Sequence, residues 1–451
     1  MNELTIKRGY SLNLAGAPSS DLEQLDRPAR VGLVPERIPF IKPRLQVDVG
    51  DPVKIGSVLF IDKRRPEIKF LSPGGGTIEK INFGPRRVIQ EIVIELDEEE
   101  AFETYPRLGP REIEAIDRLD LITMIVNGGL WPMIRELPYR DIARTDAMPP
   151  AILVAMDAKE PFHAHPESYL KGNVDLFRSG LNILEMLAGG NPVHVFTSAG
   201  QDYVRKTLGG DITHLVSGPY PADDPGVLLY HTKRSPSENR AWFVQGQDVL
   251  MLARLLAFGR YPTERIVAVA GSAAERRRHC RTRLGVPLAH LAPEPKRNGD
   301  IRYIIGGLFR GYPSSPASFL GFYETVLNLV PEGNVPGELL ALFRPGFMKP
   351  TFSRAFTSRA HHQALTIDCN VHGGDRACIA CSYCTYVCPV DILPQFTYKA
   401  ILSGEVEEAL SHGLLDCVEC GLCSFVCPSK IDLFETLKQA KTDFYIEQAR
   451  S

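Results

Sequence analysis

Eight of the ten cysteines in the chain fall in two short strings near its C-terminal end. The first reads Cys378-Ile-Ala-Cys381-Ser-Tyr-Cys384-Thr-Tyr-Val-Cys388-Pro389, and the second Cys417-Val-Glu-Cys420-Gly-Leu-Cys423-Ser-Phe-Val-Cys427-Pro428. Cysteines at i, i+3 and i+6 let one short loop wrap three thiolates around an iron–sulfur cubane, leaving backbone N–H groups to bond its sulfides. The fourth cysteine is followed by a proline, which cannot continue the ligand loop. In two-cluster proteins of this kind it reaches across to the other cluster. The spacing therefore predicts one [4Fe–4S] cluster on Cys378, Cys381, Cys384 and Cys427, and another on Cys417, Cys420, Cys423 and Cys388. A zinc ribbon needs two C-x-x-C pairs and has no use for the third and fourth cysteine of each string. Such clusters pass single electrons by outer-sphere transfer, so no general acid, base or nucleophile is required.

The elements that must position these strings are helical. Residues 395–412 place Phe396, Ala400, Ile401, Val406 and Leu410 near one face and Glu405, Glu407 and Glu408 opposite, with Gly404 as an interruption. Asp432 is a candidate N-cap for a further helix carrying Leu433, Leu437, Ala440 and Phe444 as its apolar stripe. The tail thus reads as a helical dicluster ferredoxin. Residues 369–451 hold eleven Asp and Glu against six Lys and Arg, a formal net of −5, which suits either a basic redox partner or a plainly solvated surface.

The whole chain has 451 residues, a net charge of −3 and 44% hydrophobic residues, enough for several domains and no suggestion of nucleic acid. Cysteines crowded into ligand motifs point to a reducing compartment. Residues 1–15 lack a continuous apolar core behind a basic start, so no signal peptide is expected. No stretch approaches 18 apolar residues; the best, residues 249–258, is interrupted by Arg254. Any membrane association is expected to run through partner subunits.

Residues 1–104 read as β. Short Val, Ile and Leu runs at 45–49, 58–61, 68–71, 78–81 and 88–96 are cut by Gly50-Asp51 and by Ser72-Pro73-Gly74-Gly75-Gly76. The pattern is that of a small barrel-sandwich domain, like those carrying biotin or lipoate. Lys63 sits near where such a domain presents its modified lysine, but it runs into Arg64-Arg65-Pro66, which favours a charged loop. Residues 105–260 alternate helix and strand patterns: helix then strand over 117–126, buried strands at 151–156 and 193–197, and a helix over 180–187. This predicts a Rossmann-like sheet. No G-x-G-x-x-G occurs anywhere, so the usual approach of backbone to a pyrophosphate is missing.

Two segments carry a family likeness. FIDKRRPEIKFLSPGGGTIEKINFGPRRVIQEIVIE (residues 60–95) and IKRGYSLNLAGAP (residues 6–18) closely resemble the A subunit of the bacterial Na⁺-translocating NADH:quinone reductase, Nqr. They resemble, less closely, the C subunit of the related Rnf complex. The likeness continues to about residue 365. It implies that residues 261–335 form a β-grasp module of the soluble-ligand-binding type, on the matches RIVAVAG (265–271), RTRLGVPL (281–288) and RYIIGGLFRG (302–311). Where Rnf C subunits carry a glycine-rich segment associated with flavin and NADH, this chain reads Asn127-Gly128-Gly129-Leu130-Trp131-Pro132-Met133-Ile134-Arg135, the G-L-W-x-x-(I/L)-R form of NqrA. Gly128 and Gly129 are the weak candidates for an FMN or NADH site. Residues 218–226 stand where NqrA has a His-Pro-Ala-Gly-type loop; here Pro221-Ala222 remain, the histidine is gone and Asp223-Asp224 are added. The dicluster tail is a feature of Rnf C rather than of NqrA, so the chain combines the two.

Three further stretches carry candidate chemistry of their own. His163-Ala-His165 lacks enough neighbouring ligands for a metal site and reads as an exposed loop. The run from Glu275 to Arg283 can be a phosphate or headgroup patch, with a solvated helix face the simpler reading and Cys280 an ordinary thiol. Residues 336–367 carry Arg344, Lys349, Arg354 and Arg359, with Phe343, Phe347, Phe352 and Phe356 and prolines that forbid a long helix. They read either as a basic, aromatic docking linker for a membrane partner or anionic headgroups, or as a linker packed on its own protein.

The expected architecture is therefore multidomain α+β: a barrel-sandwich domain (1–104), a Rossmann-like α/β domain (105–260), a β-grasp domain (261–335), a docking linker (336–367) and a helical ferredoxin (368–451). The resemblance implies a peripheral electron-transfer subunit on the cytoplasmic face of the bacterial inner membrane. Its partners would be a redox partner, a flavin-bearing subunit, plus the membrane subunits of an Nqr/Rnf-type complex, with quinone a further ligand to consider. Two alternatives stand beside it: an Rnf C-like flavoprotein that binds FMN or NADH and exchanges electrons with a ferredoxin, and a binding module whose clusters only rigidify a docking surface.

Overall fold

A computed structural model describes residues 1–158, 160–293, 300–333, 349–353, 357–360, 363–371 and 373–448. The valine- and isoleucine-rich runs of the first hundred residues form two packed antiparallel sheets. One is ordered Arg30–Leu33, Ile89–Leu96, Gly76–Phe83, Pro52–Val53, and the other Pro43–Leu45, Val58–Asp62, Arg65–Leu71. β-Branched residues suit such pleated, half-buried surfaces. Lys63 and Arg64 form the tight turn between Val58–Asp62 and Arg65–Leu71. It is no loose loop, because buried Asp62 accepts the Arg64 N–H (3.1 Å) and pairs with its guanidinium, while Arg64 and Arg65 both pair with Asp141 of the next domain.

The second sheet has seven strands in the order Asn2–Thr5, His214–Ser217, Val193–Ser198, Ile152–Ala155, Trp242–Gln245, Arg135–Glu136, Asp141–Ile142. Its first five strands are parallel and the last two form an antiparallel edge. The crossover helices are amphipathic with recognisable ends. Asp117 caps Arg118–Asn127 by accepting the Leu119 N–H at 2.8 Å, and Gly189 and Gly259 close Val174–Ala188 and Gly246–Phe258 in the left-handed region. Residues 118–127 are helix throughout, with no strand: Leu121, Ile122 and Ile125 recur at helical spacing and all bury. One continuous core joins this domain to the barrel through Phe60, Phe70, Leu71, Trp131, Trp242 and Leu255.

The third sheet is ordered Tyr312–Ser314, Ile301–Ile305, Val326–Pro331, Glu264–Ala270, Arg278–Arg283, Leu22–Gln24. Arg278–Arg283 is thus a strand and not a helix face. Its residues 279–281 lie in register with Leu22–Gln24, and its arginines are taken up by Glu23 (Arg278), Glu264 (Arg281) and Glu100 (Arg283). Cys280 is fully buried there, which pushes its thiol pKa up. The expected first boundary also changes. Residues 2–5 and 22–24 leave the barrel and complete the other two sheets, because His214–Ser217 and Arg278–Arg283 would otherwise be open edges.

The C-terminal module is built from Tyr383–Val387, Pro394–Ser403, Val406–Ser411, Leu422–Phe425 and Leu433–Gln448. Gly404, at φ 77°, divides the long helical pattern in two. Phe396 and Val406 face outward, 48% and 47% exposed, while Ala400, Ile401 and Leu410 join the core. No helix among the described residues is long and apolar enough to cross a membrane.

Candidate functional site

Each cysteine string is a loop that runs into a one-turn helix, and the two loops repeat each other's backbone. Ala380 and Ser382 in the first, Glu419 and Gly421 in the second, all have positive φ (54°, 61°, 56° and 77°). The match recurs at Asp391 and Lys430 (54° and 60°), each two residues beyond its proline. Single left-handed residues of this kind turn successive N–H groups to one side, making a concave cradle for negative charge.

The eight thiols line two adjoining cavities. Cys378, Cys381 and Cys384 share the first with Cys427. Cys417, Cys420 and Cys423 share the second with Cys388, and Cys384 borders this one too. The thiols ring a space rather than a point: among the described residues no three His, Cys, Asp or Glu side chains converge on a single-ion position. Burial pushes the Cys388 and Cys420 thiols up to about 12, and those of Cys384, Cys417 and Cys423 up as well. Backbone N–H groups pull the other way, from Val390 and Ile392 at Cys388 and from Leu422 at Cys420. A bare thiolate is therefore disfavoured at these positions, and a set of soft sulfur donors this buried fits a group that brings its own positive iron.

The two cavities differ in their surroundings. The first lies near solvent, with Cys378 exposed and Ile379 and Tyr386 66% and 67% exposed. The second is pressed against the α/β domain. Tyr220 Oη donates to the Cys420 carbonyl (2.8 Å) and accepts from Arg310 Nε (3.1 Å). Arg310 Nη1 donates to Asp224 (2.6 Å), and Arg140 Nη2 donates both to Asp224 (2.8 Å) and to the Val418 carbonyl (3.1 Å). Burial alone would raise the Asp224 pKa, but Arg140 and Arg310 bring it down to about 2. Asp224 also accepts the Gly226 N–H (2.8 Å), capping Pro225–Thr232. Buried Lys441 donates to the Cys417 carbonyl (2.7 Å) and to Glu419 (2.8 Å).

Apolar packing completes the joint. Val227 and Leu228 share a core with Val390, Ile392, Val418 and Leu437, and Tyr220 shares another with Leu422 and Val426. At the rim, the module's acids meet bases of the same chain: Asp391 pairs with Arg8 (2.6 Å) and Asp416 with Lys233 (2.7 Å). Part of the acidic surface is thus spent internally. The residues that hold the joint, Tyr220, Asp224, Arg310 and Arg140, were missed from sequence. The one signal for them was the acids added in the loop 218–226.

The remaining candidates lie elsewhere. Gly128 and Gly129 are packing glycines: a Cβ on either would come within 2.3 Å of Leu255 or Leu71, so apolar side chains fill the space a nucleotide would need. His163 and His165 lie in the loop before Pro166–Leu170, His165 exposed as expected and His163 half-buried. The His165 N–H donates to His279 Nε2 (3.0 Å), and burial, with His165 and His279, lowers His163 to about 4. The physical reason is that the segment packs on the third sheet, His165 against His279 and Ala164 against Ala268 and Val326. In the linker, Phe352 packs on Tyr10 and Tyr383, Arg359 lies over Tyr10, and Lys349 pairs with Asp368, so the described part rests on its own chain. Arg344, Arg354, Phe343, Phe347 and Phe356 lie outside the described residues.

Four family models match the chain: an NqrA N-terminal barrel-sandwich hybrid domain (residues 4–97), an NqrA second alpha/beta domain (116–261), an NQRA C-terminal domain (266–315) and a 4Fe-4S dicluster domain (377–431). Among curated proteins, the chain is 30% identical over 415 residues to the A subunit of the Na(+)-translocating NADH-quinone reductase of Vibrio anguillarum, covering 92% of each. It is 31% identical to those of Histophilus somni and Pseudomonas aeruginosa, again over 92% of each chain. Among solved structures, the NAD+-reducing [NiFe]-hydrogenase in its H2-reduced state aligns over 75% of this chain and 61% of that one, at 11% identity and a TM-score of 0.33.

Proposed function

The chain belongs to the A-subunit (NqrA) family of the Na(+)-translocating NADH-quinone reductases, and on that premise we propose that it is the peripheral electron-relay subunit of a membrane-bound, ion-translocating complex of that type. A 4Fe-4S dicluster domain is part of it. In this reading Cys378, Cys381, Cys384 and Cys427 hold one [4Fe–4S] cluster, and Cys417, Cys420, Cys423 and Cys388 hold the other. The observation that carries the reading is the pair of thiol-lined cavities, each drawing its fourth cysteine from the opposite string. Bound there, such clusters accept and release one electron at a time without breaking a bond.

The chain's own part is to hold, insulate and bias. Cys384 borders both cavities, which keeps the two redox positions adjacent. Arg140, Arg310 and Lys441 bring positive charge to the second string, while the first remains open to a partner. Positive charge and hydrogen bonds near a cluster favour its reduced form, and exposure changes its potential as well. The cytoplasmic face of the membrane, the membrane subunits there and a flavin-bearing subunit complete the proposal.

Anaerobically purified protein should contain about eight iron and about eight sulfide per chain, as expected for two cubanes. After dithionite reduction it should show the EPR spectrum of two neighbouring clusters. Colourless protein, or protein carrying tetrahedral zinc, would end the proposal. In cells that contain the intact complex, the chain should sediment with membranes and be released by mild washing.

A further inference from the structure

The parallel sheet has a topological switch point that the electron-relay reading leaves unused. From Ile152–Ala155 the chain moves one way, to Val193–Ser198 and then His214–Ser217, and returns to place Trp242–Gln245 on the other side. In open α/β sheets, ligands bind in the crevice outside the carboxyl ends of the two strands that flank such a point. A cavity of about 280 Å³ lies there, lined by Met156 and by Gln245-Gly246 at those strand ends. It is closed by Gly306 and Gly307 of the β-grasp domain and by Glu419 and Lys438 of the ferredoxin module, so three domains converge on it.

Arg135, the last residue of the Gly-Leu-Trp motif, lines this cavity. Its guanidinium is clamped between the rings of Phe243 (4.5 Å) and Tyr323 (4.4 Å). It makes no hydrogen bond and no ion pair within 4 Å with any described residue. Three of the carboxylates around the cavity already have partners. Asp248 pairs with Arg265, and Glu419 pairs with Lys441 (2.8 Å). Glu160 accepts the N–H groups of Phe309 (2.9 Å) and Arg310 (3.1 Å), and burial pushes the Glu324 carboxyl up toward its neutral form. A guanidinium held in place by two aromatic faces loses little freedom when it binds, and its planar fork matches the two oxygens of a carboxylate or phosphate. An unneutralised cation walled in at a crevice is costly unless something anionic visits it.

We propose that this cavity binds a small oxyanion ligand, one bearing a carboxylate or phosphate group, through the guanidinium of Arg135. The site adjoins the second thiol-lined cavity, sharing Val418, Glu419 and Phe434 with it, but its anchor, Arg135, lies outside both cysteine strings and lines neither thiol cavity. The test uses the anaerobic, iron-loaded full chain and isothermal titration with two probes, inorganic phosphate and malonate. At least one should bind saturably, the arm that does so distinguishing phosphate from carboxylate ligands. Arg135→Gln should weaken it by about tenfold or more, the scale of a lost charge-assisted bidentate contact. Iron content and the EPR spectrum should be unchanged in Arg135→Gln, so a failure of the cluster assignment and a failure of this site read out separately. If Arg135→Gln does not fold, Arg135→Lys keeps the charge without the fork and should still weaken binding measurably. Saturation by neither probe, or equal affinity in wild type and variant, overturns the proposal.

Discussion

The two cysteine strings share spacing, following proline and left-handed backbone positions, yet they occupy opposite environments. The first has an exposed thiol and solvent-facing Ile379 and Tyr386. The second is sealed by Tyr220 and tied by Arg310, Arg140 and Asp224 to the α/β domain. The lesson is that a ligand motif fixes what can be held, whereas the elements packed over it decide how tightly and at what potential. A repeated motif need not be a repeated setting: one copy is left open to solvent and the other is integrated with the rest of the chain.

Serine in place of one cysteine from each string should break the symmetry most visibly. Cys378→Ser and Cys420→Ser should each lose about half the iron, as expected for one cubane of two. Only Cys420→Ser should also lower the melting temperature of the joined domains and open the chain to proteolysis between the linker and the module. Equal melting temperatures for the two variants would refute the distinction.

Arg310→Met tests the joint itself. Removing one partner of a buried ion pair costs about 3–5 kcal/mol, and the lower end is expected because Arg140 still faces Asp224. The pH dependence has a definite sign. Asp224 is held at about 2, below its ordinary 3.8, so its contribution is full above about pH 4 and fades as pH falls through about 2. In the variant, burial raises the same carboxyl. The gap in stability between wild type and variant should therefore be widest near neutrality and close in acid; a gap independent of pH in paired thermal melts would count against this account. The smallest effect belongs to the rim. Arg8→Ala removes an exposed pair with Asp391, both side chains nearly half accessible, and should change stability by less than about 1 kcal/mol.

How far the molecule could be read from its sequence follows from the range of the interactions. The cysteine strings were legible because their ligand geometry is local, and the barrel strands because alternation and Gly/Pro turns are local too. Val406 was misplaced because Gly404 resets the helical phase before it, so one continuous stripe was the wrong template; Phe396 was misplaced because its own helix buries Thr397 beside Ala400 and leaves Phe396 at the rim. Residues 275–283 read as a charged helix face because the glutamates that pair with most of their arginines, Glu23 with Arg276 and Arg278 and Glu100 with Arg283, come from far earlier in the chain. The joint was opaque for the same reason: Tyr220 meets Cys420 across 200 residues, and Arg310 meets Asp224 across 86. Arg135 was visible only as the end of a motif, since nothing in a sequence marks a cation that lacks its counter-ion.

The placement of residues 2–5 and 22–24 in sheets whose other strands come much later bears on how the chain is made. During synthesis the opening segment leaves the ribosome long before residues 214–217 and 278–283 exist to receive it, so it must wait unpaired through about half of translation. Neither later sheet can acquire its final edge until then, and the barrel that follows the two waiting strands can fold first as an island. Bulky fusions at the amino terminus would obstruct a late insertion, whereas fusions at the carboxyl terminus would not.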